Sequence, residues 1–409
     1  MQIPNCFHAT DTRAHPNHDF LLLILLIVMS SISVGCSSSD PVATNEAVSA
    51  TLVKAEQAAA PQSTYAPSPI SEQVTSEIAA RSNQNPVALT ACDISPIEVL
   101  LFVAETVPTR EQRIIEEAIC LSKQLYFDKD ATNWQMATPV YVAALNRYDP
   151  ESAIKLESEY CEFIQHRHPE AWMCDPDNSN PNCETDGLCL FTEEDGRVSG
   201  SSISSSRHRD EFYLFINQSH DDDASYWYVA LHEMFHIYQI SSIADPDISG
   251  EGLARFLGLR SASNRELDSP WWMEGTAVYM SHYYYSAEKE ATWEHLRREM
   301  GRYLNTDYNG SGLGTILEQY KGSGKHLADF NYGGSDHQVA YGMGAWFVAY
   351  LVNLSGIDKI FEFYSILEES GGFEDAFVAT YGRSHNSYLT EFDLFLDKSK
   401  SEIMSILPE

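Results

Sequence analysis

The stretch "LHEMFHIYQ", residues 231–239, is the part of the chain from which its fold and chemistry are inferred. His232 and His236 are four residues apart, so on a helix both imidazoles lie on one face and can bind the same metal ion. Glu233 lies beside the first histidine, where a carboxylate can take a proton from a metal-bound water. Two histidines hydrogen-bonded in a core are the alternative. Aromatic and aliphatic residues surround the motif and are expected to occupy the other faces of the helix. This context favours a zinc site.

A zinc ion of this kind needs a third protein ligand and one open coordination position. A metzincin would have glycine at position 239 and histidine at 242, but this chain has Gln239 and Ser242. An aspartate-type zincin would have its ligand where "GTAVY" has Tyr279. The remaining solution is a glutamate on a later helix, and "PWWMEGTAVY" supplies Glu274. We therefore expect Glu274 to be the third ligand.

The segment around Glu274 predicts a helix over "SPWWMEGTAVYMSHYYYS", with Ser269 as its cap. Gly275 and Ala277 are small, so we expect this helix to approach the histidine helix closely there. The bulky side chains of Trp271 and Trp272 are expected to wedge the two helices together.

The combination of "HEMFHIYQ" and "PWWMEGTA" resembles the gluzincin metallopeptidases, the thermolysin-like and aminopeptidase-like superfamily. The runs "AYGMGAWFVAYLVNLSG", "FYSILEESGGFEDAFVATYG" and "YLTEFDLFL" are similar to the helical lobe of that superfamily. The resemblance implies a zincin-like α+β fold, Zn²⁺ bound by His232, His236 and Glu274, and peptide hydrolysis with Glu233 as general base. Thermolysin-like enzymes place an aspartate four residues after the glutamate ligand, where this chain has Val278. Which group orients the imidazoles is therefore open.

Members of the superfamily stabilise the oxyanion with a tyrosine or histidine beyond the glutamate ligand. Tyr341, in "QVAYGMGAWF", resembles the tyrosine of the aminopeptidase-like arrangement, and its phenol would donate to the developing charge. His337 and His326 are the alternatives, and a tyrosine on an apolar helix can also be simply a core residue. His282 points roughly the same way as Glu274 along the helix, so we expect it beside the ligands or in the wall of the site.

The N-terminal residues 1–35 are typical of an export signal. The apolar run Phe20–Met29 is shorter than the roughly 20 residues that span a bilayer and suits a secretory signal. Cys36, which follows "SVG", resembles the lipidated cysteine of a bacterial lipobox, and Ser37 after it is typical of sorting to the outer membrane. A cleaved signal without lipid and an uncleaved anchor are the alternatives. Residues 36–90, rich in Ser, Ala, Thr, Gln and Pro, predict a disordered tether.

The rest of the chain predicts an α+β lobe over residues 91–223, followed by zinc-site helices and a helical lobe over residues 224–409. Apolar periodicity and strand propensity assign the elements of the first lobe. They are a helix from 110 over "REQRIIEEAICLSKQLYF", a strand over 138–146, a helix from Asp149, a loop over 175–209 and a strand over 211–217.

The cysteines predict disulfides and an oxidising compartment. Of the 8 cysteines, Cys6 and Cys36 belong to the signal and the anchor, which leaves an even set. Proximity in sequence favours the pairs Cys92–Cys120, Cys161–Cys174 and Cys183–Cys189. A cysteine zinc site is disfavoured because no C-x-x-C pair occurs. The net charge of −33 excludes nucleic acid as a partner because the surface repels phosphate.

These observations favour a monomeric zinc metallopeptidase acting on a peptide or protein. A catalytically inactive, peptidase-like binding lipoprotein is the alternative, and it is disfavoured because Glu233 is present. A structural zinc site is disfavoured because no fourth protein ligand is evident. Endopeptidase action is favoured over aminopeptidase action, because the strand expected to edge the cleft, "YLFINQSHDDD", lacks the acidic G-x-M-E-N motif.

Overall fold

The computed structural model describes most of the chain beyond residue 85. The described residues are 86–89, 97–127, 139–167, 174, 188, 192, 203–205, 213–242, 270–307, 312–331, 336–370 and 372–409. The predicted signal, Cys36 and most of the predicted tether lie outside them. The first strand, β1 (Val87–Ala88), falls inside the C-terminal end of the predicted tether, so that end is part of the sheet.

A five-stranded sheet forms the first part of the described structure. Its strands are β1, β2 (Val99–Val103), β3 (Val140–Leu145), β4 (Ile203–Ser205) and β5 (Tyr213–Gln218), in the spatial order β1-β2-β3-β5-β4. The three central strands, β2, β3 and β5, are parallel, whereas β1 and β4 pair antiparallel at the two edges. β2 and β3 read as nearly continuous apolar runs because both of their faces are buried, as parallel strands require.

Helices make up most of the remaining described structure. We number them α1 (Thr109–Phe127), α2 (Pro150–Arg167), α3 (Asp223–Ser241), α4 (Met273–Tyr284), α5 (Glu294–Asn305), α6 (Ile316–Ser323), α7 (Asp336–Ser355), α8 (Asp358–Glu369), α9 (Phe373–Tyr381), α10 (His385–Leu396) and α11 (Lys400–Met404). A π-helical segment, Tyr285–Glu290, continues α4, and Ala291 after it has a positive φ of 53°. The fold is therefore mixed α and β and mostly helical, as the sequence predicted.

The sheet separates two hydrophobic layers, because alternate side chains of each strand point to opposite faces. On one face, Val140 and Val142 of β3 join a core that includes apolar residues of α1, α3, α4 and the C-terminal helices. On the other face, Tyr141 and Ala143 pack with the buried side of α2. α3, which carries the histidine motif, is thus held between the sheet and the C-terminal helices.

Several elements differ from the sequence expectations. The predicted loop over 175–209 contains β4, a short strand "ISS" that is formed by pairing with β5 and has little apolar character of its own. β2 was not predicted, although the apolar run "VLLFV" is typical of a buried strand. α4 begins at Met273, later than expected, and Ser269 lies outside the described residues. The first helix, β3, α2, β5 and α3 match their predictions within a few residues.

One of the three predicted disulfides lies within the described residues. Cys161 of α2 is bonded to Cys174, as predicted. Cys120 is also disulfide-bonded, and its predicted partner Cys92 lies outside the described residues. The predicted pair Cys183–Cys189 lies outside them as well.

Among the described helices, none is by itself both long and apolar enough to cross a membrane. α7 and α8 meet the limits of length and composition only when taken together, and the pair is bent by 103°.

Candidate metal centre

Three side chains predicted as metal ligands converge between α3 and α4. The Nε2 atoms of His232 and His236 are 3.0 Å apart. The Glu274 Oε2 atom lies 3.1 Å from the His236 Nε2 and 3.3 Å from the His232 Nε2. All three residues are buried, with 5–6% of their surface exposed. The two helices therefore bring together the donor set that the sequence predicted.

The spacing of these donor atoms fits a small tetrahedral ion. Zinc binds imidazole nitrogen and carboxylate oxygen at about 2.0–2.2 Å, which places neighbouring ligand atoms about 3.3–3.5 Å apart in a tetrahedron. The observed distances of 3.0–3.3 Å are slightly shorter and need only a small outward shift of the side chains. Among the described residues, this is the one group of three His, Cys, Asp or Glu side chains that can share an ion.

The electrostatics of the buried group also suit a cation. Burial by itself favours a neutral carboxyl group at Glu274, but the nearby imidazoles of His236 and His232 lower the pKa of that carboxyl below its ordinary value. Burial disfavours a charged imidazole at His236, yet the carboxylate of Glu274 raises the pKa of His236 to about 9. The carboxylate thus favours positive charge on the adjacent imidazole, and a bound cation would replace the proton there.

Glu233 lies on α3 next to the first histidine and is 5% exposed. Its charge contributes to the raised pKa of His236, so the carboxylate is close to the three converging side chains. It is not one of the donors that meet there. This position suits a base acting on a molecule bound at the site and leaves the three donors to hold the ion.

Gln239, three residues after His236, supplies the imidazole partner that the sequence left open. Its Oε1 atom lies 2.7 Å from the Nδ1 of His236. Its Nε2 lies 3.0, 2.7 and 2.8 Å from the Met273 carbonyl, the Thr276 hydroxyl and the Tyr364 hydroxyl, which share its two hydrogens. Sequence reasoning used Gln239 only to exclude another family. The available signal was a lone amide in a helix that is otherwise largely apolar.

Gly275, one of the two small residues of α4 singled out above, packs differently from the expectation. A Cβ atom at Gly275 would lie 2.5 Å from the backbone of Gly344, and one at Gly344 would lie 2.2 Å from the Trp271 carbonyl oxygen. Gly275 therefore lets α4 approach α7, and the prediction that it serves an approach to the histidine helix is wrong. Sequence shows that a close approach is allowed but not which neighbour makes it.

The two tryptophans also point elsewhere than predicted. The Trp271 ring packs against Phe347 and Phe373. The Trp272 ring packs against Phe363 and Phe373. Both rings are buried in the C-terminal helices, so they dock the start of α4 onto that lobe and do not wedge it against α3.

Tyr341, the predicted oxyanion donor, lies on the first turns of α7, near the metal ligands. Its ring is half-buried and stacks on that of His232, with centroids 6.5 Å apart and an interplanar angle of 16°. His337 is one turn earlier, and its ring is 6.3 Å from that of Tyr341. The side chain of His326 is 74% exposed, and its Nδ1 is 3.6 Å from the carboxylate of Asp393. Of the three candidates, the tyrosine is thus the one found in ring contact with a ligand.

His282 lies one layer behind the ligands, consistent with its predicted place in the wall. Tyr228 stacks on His282 with ring centroids 4.7 Å apart, and its ring is also 5.3 Å from that of His232. The His282 Nδ1 is 3.0 Å from the His295 Nε2 of α5. Burial lowers the pKa values of both of these histidines, so they remain neutral at physiological pH. Tyr228 therefore connects the first ligand to a neutral histidine pair.

The strand expected to edge the cleft is not at an edge. "YLFINQ" forms β5, which pairs with β3 on one side and β4 on the other. Among the described strands, β4 is the one at that edge of the sheet. The absence of the G-x-M-E-N motif in β5 therefore no longer supports endopeptidase over aminopeptidase action.

No model of a known protein family matches this chain, and no curated protein matches it either.

Proposed function

We propose that this chain is a zinc-dependent peptidase with a zincin-like fold, in which His232, His236 and Glu274 hold the ion. The observation that carries the proposal is the convergence of these three buried donors at tetrahedral spacing, with Glu233 beside them. Support for the fold comes from the small sheet that leads through β5 into the motif helix α3, followed by a helical C-terminal part.

The proposed reaction is hydrolysis of a peptide bond by water. Zinc, when bound, supplies Lewis acidity that makes water nucleophilic near neutral pH and polarises the substrate carbonyl. The Glu233 carboxylate takes a proton from the attacking water while the water oxygen bonds to the carbonyl carbon of the substrate. The same proton then passes from Glu233 to the amide nitrogen as the carbon–nitrogen bond breaks. The Tyr341 hydroxyl donates a hydrogen bond to the developing oxyanion.

The Glu233→Gln variant tests this proposal. Glutamine has nearly the same shape but cannot accept the proton, so hydrolysis of a broad peptide library should be lost while zinc is still bound. Glu362→Gln, on the exposed side of α8, is the matched control and should digest the library as the wild type does. Undiminished hydrolysis by Glu233→Gln would show that another group is the base.

We further propose that the chain is exported and anchored by lipid at Cys36 to a bacterial outer membrane. The sequence before and after that cysteine supports the proposal, as does the Cys161–Cys174 disulfide, because disulfides persist in oxidising compartments. Mass spectrometry of the mature N-terminus should find a diacylated Cys36. An N-terminus that begins elsewhere would contradict the anchor.

A further inference from the structure

A single buried amide connects a metal ligand to two other helices. Gln239 is 0% exposed and lies on α3, one turn beyond His236. We infer that Gln239 is the positioning residue of the metal site, which fixes the tautomer and the direction of the His236 imidazole. This inference rests on the proposed zinc site.

The orientation of the Gln239 amide follows from its fixed partner. The Met273 carbonyl oxygen, 3.0 Å from the Gln239 Nε2, can only accept a hydrogen bond. The NH₂ group must therefore face α4, where the Thr276 hydroxyl also lies, and Tyr364 of α8 lies within reach of it at 2.8 Å. The amide oxygen is left to face His236.

The amide oxygen in turn determines the state of the imidazole. Oε1 only accepts, so the His236 Nδ1, 2.7 Å away, must carry a hydrogen and donate it. In a neutral imidazole the other nitrogen, Nε2, then carries the lone pair. This Nε2 is the atom that faces the His232 Nε2 and the Glu274 Oε2. Gln239 thus selects the tautomer in which His236 is a metal ligand.

The same contacts align the two ligand-bearing helices. Met273 and Thr276 flank Glu274 on α4, so Gln239 joins the helix of the histidines to the turn that carries the third ligand. Thr276 itself donates to the Trp272 carbonyl at 2.7 Å, which fixes its hydroxyl as an acceptor for the amide. The chain therefore orients His236 with a buried amide, whereas position 278, an aspartate in thermolysin-like enzymes, is Val278 here.

The comparison of Gln239→Met with Tyr364→Phe in the full chain tests the inference. Methionine has a similar volume but makes no hydrogen bond, so the zinc dissociation constant should rise about 10- to 100-fold, as for loss of other partners of metal-binding histidines. Tyr364→Phe removes one anchor of the amide but leaves the contact with His236, and should retain the wild-type zinc affinity. The visible spectrum of the Co²⁺-substituted protein should change in Gln239→Met and not in Tyr364→Phe.

Imidazole ¹⁵N NMR of the zinc-loaded wild type tests the tautomer without a variant. The inference expects a protonated Nδ1 on His236, and a protonated Nε2 would overturn it. Equal zinc affinity in Gln239→Met and the wild type would also overturn it. A wild type that binds no zinc at all would instead overturn the proposed function on which it rests.

Discussion

At the scale of single residues, the proposed mechanism assigns holding the ion and acting on the substrate to different side chains. His232, His236 and Glu274 meet at one point, whereas Glu233 and Tyr341 lie beside it. The His232 Nδ1 is buried and has no hydrogen-bond partner among the described residues. Its ring instead packs against the tilted ring of Tyr228 and stacks on that of Tyr341. The two histidines of the proposed zinc site are thus positioned by different means.

Tyr341→Phe distinguishes an oxyanion donor from a core tyrosine. We expect zinc content and thermal stability to remain unchanged, while kcat falls by about 10²–10³, as is typical for the loss of one oxyanion donor. His337→Ala is the paired variant, because its ring lies next to that of Tyr341. An unchanged kcat in Tyr341→Phe together with a large loss in His337→Ala would transfer the role to the histidine.

At the scale of elements, the position of Tyr341 depends on how α7 docks on α4. The backbones of Gly275 and Gly344 are in contact, which only glycine permits at this distance. The rings of Trp271 and Trp272, at the start of α4, pack against the C-terminal helices. The glutamate ligand and the tyrosine are therefore carried by two helices in direct backbone contact.

Gly344→Ala tests the docking of α7. The new Cβ would lie 2.2 Å from the Trp271 carbonyl oxygen, so α7 must shift. We expect a loss of about 1–3 kcal/mol in the free energy of unfolding, as for overpacked cores, and a loss of activity. Gly322→Ala on α6 is the matched control, since a Cβ there meets nothing within 4 Å. It should stabilise the protein by up to about 1 kcal/mol. Urea unfolding measures both, and equal stability of the two variants would contradict the packing.

The elements also show which features of the fold and the site could be predicted from the sequence alone. The motif helix and Glu274 could be predicted because metal chemistry restricts the residue types and their spacing. The helix that packs against Gly275 could not be predicted, because a small residue permits a close approach by any neighbouring helix. β4 escaped prediction because it is a strand through pairing with β5, and its own residues lack a strand pattern. The role of Gln239 depended on Met273 and Thr276, which only the folded chain brings to it.

At the scale of the whole molecule, a half-buried neutral histidine makes stability depend on pH. His220 follows β5, and its ring packs against Tyr226. Burial and the charge of Arg147 lower the pKa of His220 to about 4, although Asp222 and Asp221 oppose the shift. In the unfolded chain a histidine has a pKa of about 6.5. Between these values the unfolded state binds a proton that the folded state does not.

The contribution of His220 to the free energy of unfolding should therefore be complete above pH 6.5 and be lost as the pH drops toward 4. The contribution of His220 is up to about 3 kcal/mol over that interval. His220→Gln should flatten this part of the profile, measured by urea unfolding at several pH values. His166→Gln, on the exposed end of α2, is the control and should leave the slope unchanged. A slope that is the same in His220→Gln and the wild type would contradict the assignment.

The most direct test of the account is the zinc stoichiometry of the purified full chain, measured by elemental analysis after equilibrium dialysis. The wild type should bind one zinc ion per chain, because three buried donors meet at one point. Glu274→Ala should lose most of that zinc, since it removes one of the three donors. A wild type that takes up no zinc, or a Glu274→Ala variant that binds it as tightly as the wild type, would contradict the central claim.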